Sequence, residues 1–139
     1  MAKLRAYLFF PGNTKEGMEF YKSVFGGELV LTRVGDTPAA QGMPPETHDS
    51  ILHSDLTSGD LVLYASDQND PKTMVQGNTV SLCLVCSSDE EIQSLYDKLM
   101  VGGTSEHPLK KEFFGWFGDC VDKYGFRWMF ELDKEKTAN

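Results

Sequence analysis

Acid–base chemistry in this chain has three histidines to draw on, His48, His53 and His107. His53 falls within residues 50–56, whose alternation reads as a strand, and Asp55 shares its face because side chains two apart on a strand point the same way. Glu131 lies on the face of a final strand, 126–132, together with Arg127 and Met129. An imidazole with a carboxylate beside it can move protons or form a makeshift ion site, which makes His53, with Asp55 or Glu131, the catalytic candidate. The alternative is a His53 bonded within its sheet while the acids face solvent. His48 and His107 sit among prolines and loop residues and read as surface.

The cysteines offer less. Cys83 and Cys86 have the spacing of a redox pair, but three positions along a strand reverses the face. A redox pair needs both sulfurs together at a helix start. Both therefore read as small buried hydrophobes, with Cys120 in a loop and partly exposed. The chain has no Gly-x-Ser-x-Gly elbow, no phosphate loop and no Gly-x-Gly-x-x-Gly turn. No cofactor is expected.

Aromatic residues are the more informative set. Residues 113–128 carry Phe113, Phe114, Trp116, Phe117, Tyr124, Phe126 and Trp128, broken by glycines. The stretch reads as a ring-rich loop, a tight turn at 122–125 and a closing strand. With Tyr7, Phe9, His53 and Tyr64 these rings can wall an apolar pocket that takes a small organic ligand, and Arg127 can add a carboxylate or phosphate contact. The ligand-binding candidates are Tyr7, Phe9, Tyr64, Phe113, Phe114, Trp116, Arg127 and Trp128. The opposing expectation is that 126, 128, 130 and 132 form a stripe packed on helices.

These residues need a scaffold, and the pattern supplies one twice. Residues 3–10 read as a strand, with Pro11-Gly12-Asn13 breaking it and capping a helix over 14–25 that Gly26-Gly27 stops. Residues 79–86 read as a strand, Ser87-Ser88-Asp89 as a cap, and a helix then runs to Gly102-Gly103. Strand starts and glycine pairs each recur 76 positions on (79 − 3 and 102 − 26). Residues 50–56 and 61–66 flank a turn in the first half. The loop 35–49 holds Pro38, Pro44 and Pro45, too many for regular structure, and suits a lid. The charged tail 133–139 reads as frayed.

Length and charge bound the rest. A chain of 139 residues fits a single domain, here made of two modules at about 1–75 and 76–135. A net charge of −8 argues against nucleic acid and anionic membranes as partners. No apolar run suits a signal peptide or a membrane span, and three cysteines suit a reducing compartment, so a cytoplasmic protein is expected.

Several motifs, in order, carry a resemblance. They are Gly12-Asn13 with Glu19-Phe20-Tyr21, Phe25-Gly26-Gly27-Glu28-Leu29, and His53-Ser54-Asp55-Leu56 with Ser58-Gly59-Asp60. Then come Ser66-Asp67, Gly102-Gly103, Phe113-Phe114-Gly115, Phe117-Gly118, Asp122 and Tyr124-Gly125-Phe126-Arg127-Trp128. The chain thereby resembles the PhnB-like family of the vicinal oxygen chelate superfamily, which holds glyoxalases, extradiol dioxygenases and bleomycin-resistance proteins. Phe114 stands where that family usually has Trp. The resemblance implies an α+β fold, two βαβββ modules forming a cupped mixed sheet, commonly completed as a homodimer.

It also implies where a divalent ion would sit. The superfamily's His and Glu ligands correspond to Ala6, Leu63, Val80 or Ser81, and Met129, or with a slip of one residue to Tyr7, Tyr64 or Phe130. None supplies an imidazole or carboxylate, so no metal is expected. PhnB-like proteins also carry a demethylubiquinone methyltransferase label, yet the Gly-rich turn that nucleotide-derived cofactors want is missing. Two readings follow: a metal-free small-molecule-binding protein, or a lyase, isomerase or dioxygenase working through His53 and an acid. A third use of the rings is a dimer interface.

Overall fold

The computed structural model describes residues 1–68 and 70–133, so most of the tail lies outside the described residues. The chain divides into two compact units, Met1–Val75 and Gln76–Asn139.

In the first unit, β1 (Ala6–Phe10) leads to α1 (Thr14–Phe25), then to β2 (Glu28–Arg33), β3 (Ile51–Ser58) and β4 (Leu61–Asp67). The sheet order is β1-β4-β3-β2, with β1 parallel to β4 and the other pairs antiparallel. Met18, Tyr21 and Val24 recur at helical spacing and are buried. Opposite them the sheet buries Leu8, Phe10, Leu56, Leu63 and Ala65. Gly17 lets α1 approach closely, because a Cβ there would collide with the Phe10 ring. The sheet's other face carries Tyr7, Phe9, His53, Asp55 and Tyr64, as strand alternation requires.

The cap of α1 is not the one expected. Asn13 makes no side-chain cap bond, and its Oδ1 has no hydrogen-bond partner among the described residues. Asp67, at the end of β4, does the work: its Oδ1 accepts from Thr14 N at 3.0 Å and Thr14 Oγ1 at 2.7 Å. Its Oδ2 accepts from Ile51 N at 2.8 Å. One carboxylate thus ties helix, β3 and β4 together, and supplies the negative charge a helix N-terminus favours.

The proline-bearing loop also differs from expectation. It folds as three 3-10 turns, Val34–Asp36, Pro38–Gly42 and Pro45–Thr47. Pro38 and Pro45 stand at turn starts, where a missing N–H leaves no bond unmade. Arg33 clasps the loop by pairing with Asp36 at 3.1 Å and Asp49 at 2.6 Å. His48 is not a free surface group either, since its Nε2 sits 3.1 Å from the Ala40 carbonyl and 3.2 Å from that of Met43.

In the second unit, β5 (Leu82–Cys86) leads to α2 (Asp89–Leu99), then to β6 (Lys110–Glu112), β7 (Gly115–Phe117), β8 (Asp119–Val121) and β9 (Arg127–Leu132). Its strands order β5-β9-β8, with β6-β7 a separate hairpin. β5 starts 82 − 6 = 76 positions after β1. Ser88 caps α2 by accepting from Glu91 N at 3.1 Å, and the Glu91 carboxylate accepts in return from Ser87 N at 2.9 Å. Ile92, Tyr96, Leu99, Cys120, Trp128 and Phe130 are buried here.

The second unit is not a full copy of the first. The counterpart of β2 is the segment 104–109, and its one bridge to the sheet is Thr104 to Val121. Pro108 has no N–H, and the Asp119 carboxylate takes the N–H groups of Glu106 and His107, each at 3.2 Å. Side-chain bonds have replaced part of the ladder. The turn into β9 matches expectation: Gly125 has φ 87°, and Asp122 Oδ1 accepts from Tyr124 N at 2.8 Å and Phe126 N at 3.1 Å.

Candidate functional site

On the open face of the first sheet four rings meet. Tyr7 and Tyr64 are register partners on β1 and β4, and their centroids lie 6.2 Å apart. Phe9 lies 5.1 Å from Tyr7, while His53 lies 5.7 Å from Tyr7 and 5.2 Å from Tyr64. The Tyr7 hydroxyl and His53 Nδ1 are 3.2 Å apart, a hydrogen bond whose proton position depends on the imidazole tautomer. Tyr7 is 40% and Phe9 49% exposed, high for rings in a sheet. Asp55 pairs with Tyr64 across β3 and β4. It has no hydrogen-bond or ion-pair partner among the described residues.

A cleft of about 360 Å³ adjoins this face, lined among others by Phe9, Val34, Met43, Leu52, Ser66 and Asp67. Leu52 reaches it because the strand pairing slips: Arg33 pairs with Ile51 and Thr32 with His53, which leaves Leu52 unpaired. Phe9 alone of these was a ligand-binding candidate from the sequence, Ser66-Asp67 having entered only as a motif of the resemblance. Val34 and Met43 lie at 3-10 turns and Leu52 at a bulge, where no regular periodicity flags them, and Ser66 and Asp67 end β4.

The remaining sequence candidates belong to the second unit. Phe113 and Phe114 form the tip of the β6–β7 hairpin, with rings 5.3 Å apart and 99% and 61% exposed. Trp116 faces α2 and donates its Nε1–H to Asp89 Oδ1 at 2.9 Å; Lys111 Nζ holds Asp89 Oδ2, also at 2.9 Å. The Trp116 hydrogen bond, then that of Lys111, keeps the Asp89 carboxyl below its ordinary range. A shallow groove of about 550 Å³ runs between Trp116 and Glu90, Gln93 and Asp97 of α2.

Arg127 is half-buried, with an Nε that has no hydrogen-bond partner among the described residues. Trp128 does not lie on the open face. It is 1% exposed and donates its indole N–H to Asp122 Oδ2 at 2.8 Å, so it is a core residue with a satisfied polar atom. Glu131 is exposed on β9.

The thiols need correcting. Cys83 is exposed, Cys86 is buried, and Cys120 is buried within β8 rather than looped out. Burial pushes the Cys86 thiol up to about 11 and the Cys120 thiol up to about 12.

Strand pairing also places the positions at which the resemblance implies a metal. Leu63 is buried and pairs with Ala6, so the open face of the first unit carries Tyr7 and Tyr64 instead. In the second unit Val80 and Ser81 precede β5, and Met129 pairs with Cys83. Two phenols in one unit, and a thiol with a thioether in the other, do not fit a catalytic divalent ion that wants imidazole and carboxylate donors. The cluster of Glu106, His107 and Asp119 has ligand atoms within 4.8 Å of one another, and no sequence signal pointed to it. Both Asp119 oxygens are already used: Oδ2 lies 2.7 Å from His107 Nδ1, while Oδ1 binds two backbone N–H groups. That cluster ties down the segment 104–109.

Comparison with known proteins places this geometry. Over residues 2–130 the chain matches the family model described as 3-demethylubiquinone-9 3-methyltransferase. It is 27% identical over 148 residues to Protein YjdN of Escherichia coli (strain K12), covering 97% of this chain and 98% of that protein. The crystal structure of PA1353 from Pseudomonas aeruginosa is similar, with TM-score 0.82 and 31% identity over 96% of this chain and 98% of that one. A PhnB protein from Bacillus cereus gives TM-score 0.77 and 27% identity over 95% of this chain and 100% of that one. The fold alone is shared with a glyoxalase/bleomycin resistance protein/dioxygenase family enzyme from Burkholderia phytofirmans, at TM-score 0.62 and 12% identity over 92% of this chain and 95% of that one. No described helix is long and apolar enough to cross a membrane. The chain belongs to the PhnB-like family described as 3-demethylubiquinone-9 3-methyltransferase.

Proposed function

We propose that the chain is a metal-free, cytoplasmic small-molecule-binding protein whose ligand rests on the ring-lined face of the first unit and reaches into the adjoining cleft. The observation that carries this reading is the grouping of Tyr7, Phe9, His53 and Tyr64 within ring-contact distance beside a cleft of about 360 Å³. Small-molecule sites combine apolar wall with a few placed polar groups, and Ser66, Thr47 and the Tyr7–His53 pair meet that description. The 3-10 segment beside the cleft then acts as its lid. A homodimer is the expected assembly, with the exposed Phe113–Phe114 tip as a contact.

Methyl transfer, named in the family's description, is not part of the proposal. The turn between β1 and α1 is Pro11-Gly12-Asn13, which lacks the run of glycines that lets a backbone approach a nucleotide-derived cofactor.

A second reading rests on one contact, the Tyr7 Oη to His53 Nδ1 distance of 3.2 Å. A phenol bonded to an imidazole, with Asp55 on the same face, can pass a proton to or from a bound carbonyl compound as a lyase or isomerase requires. The two readings separate by experiment. A thermal-shift screen of small aromatic and amphipathic molecules gives stabilising hits under both. Turnover of a hit that His53→Ala abolishes while binding persists favours the enzyme; binding without turnover favours the carrier. No hit in a broad library contradicts both.

A further inference from the structure

Resting on the reading that the first unit's ring face binds a small molecule, we infer that its ligand is an organic cation of the ammonium type. The face is assembled from register partners: Tyr7 with Tyr64, Asp55 with Tyr64, Val30 with Asp55, and Thr32 with His53. Its charged side chains are acidic, Asp55 and, at the β2 end, Glu28. No Lys or Arg falls on the open-face positions of the four strands. Of the nearby cations, Arg33 is paired with Asp36 and Asp49, while Arg5 precedes β1 and turns an N–H onto the Leu4 carbonyl.

Three further observations agree with this sign of charge. Tyr7 is tilted against Phe9 at 36° and against Tyr64 at 63°, so these rings do not stack flat and bury one another's faces. Ring faces are electron-rich and attract a cation within about 6 Å, and most strongly one that water hydrates poorly. The part-buried Asp55 carboxylate beside Tyr64 has no protein cation to answer it among the described residues, which leaves an attractive charge for a ligand to meet. The neighbouring cleft carries no basic side chain, and its one acid, Asp67, spends both oxygens on Thr14 and Ile51. An anionic ligand would find no partner there.

The test uses the full chain and three soluble probes that share a branched head: choline, its neutral isostere 3,3-dimethylbutan-1-ol, and the anion 3,3-dimethylbutanoate. Binding is read by NMR, from shifts of the probe methyl protons and of the Tyr7 and Tyr64 rings. Choline is expected to bind about tenfold more tightly than the alcohol, with the anion weakest. Asp55→Asn should lower the choline preference about fivefold and leave the alcohol unchanged. Equal binding of choline and alcohol overturns the cation inference but leaves a small-molecule site, as does tightest binding of the anion. Binding of none, together with an empty thermal-shift screen, overturns both. If Phe9→Glu turns a dimer into monomers, and only the monomer takes up choline, the face is an interface between copies of the chain and the inference fails.

Discussion

Replacing Asp67 by Ala removes one side chain and three hydrogen bonds. Its carboxylate accepts from Thr14 N at 3.0 Å, Thr14 Oγ1 at 2.7 Å and Ile51 N at 2.8 Å. Thr14 is fully buried, so its two donors cannot all turn to water once the acceptor is gone. Each stranded buried donor costs about 1–3 kcal/mol, and losing a negative charge at a helix N-terminus adds about 0.3–1 kcal/mol. Water entering from the adjoining cleft recovers part of this, which leaves a loss of about 3 kcal/mol. For a chain of this length that corresponds to a fall in Tm of roughly 10 °C. The assay is urea unfolding followed by circular dichroism, with Asn13→Ala as the control. Asn13 makes no cap bond, so its replacement should cost under about 0.5 kcal/mol. The reasoning is refuted if Asn13→Ala costs as much as Asp67→Ala, or if Asp67→Ala costs under about 1 kcal/mol.

Other outcomes follow from the same structure. A thiol reagent at pH 8 should label Cys83 in the folded protein and leave Cys86 and Cys120 untouched until denaturant is added, as mass spectrometry of the labelled peptides would show. Burial pushes the Asp119 carboxyl up, but the hydrogen bonds and charge of His107 outweigh it, so the folded group titrates below its ordinary value near 3.8. Its stabilisation is therefore complete above pH 4 and lost as pH falls through the lowered value. The amides of Glu106 and His107 should lose hydrogen-exchange protection in that acid range, and Asp119→Asn should show the same loss at neutral pH. Trp128→Phe leaves Asp122 Oδ2 without its indole donor and should cost about 2–4 kcal/mol in chemical unfolding, cavity included.

What the sequence reveals is governed by how local each cause is. The helix at Thr14–Phe25 was legible because its stripe and its glycine stop are encoded within it. Ser88 was legible as a cap because the bond it makes reaches only three residues on. The cap of α1 was not, since its acceptor arrives from position 67 once β1 and β4 have paired. A similar cause hid the cleft: Leu52 enters it through a strand slip, and Met43 through 3-10 turns, neither of which has a period to detect. Tyr7, Phe9, His53 and Tyr64 were found as ring types on predicted strands, but only pairing showed that they meet. Trp128 was read both ways, and its single exposed-or-buried outcome depended on Asp122 six residues earlier offering its indole N–H a partner. The reduced second unit was hidden too, because Asp119 competes for the N–H groups of residues 106 and 107 from across a turn.

The central claim is that the Tyr7–Phe9–His53–Tyr64 face holds the ligand. The most direct measurement takes the strongest thermal-shift hit and compares its stabilisation of the native chain with that of a Tyr7→Leu/Tyr64→Leu variant and of a Phe113→Ser/Phe114→Ser variant. At about 100 times the dissociation constant, binding contributes about 2.7 kcal/mol, roughly 8 °C in Tm. The account predicts that this rise disappears in the Tyr variant and persists in the Phe variant. A rise that survives loss of both tyrosines, or vanishes with the two hairpin phenylalanines, contradicts it.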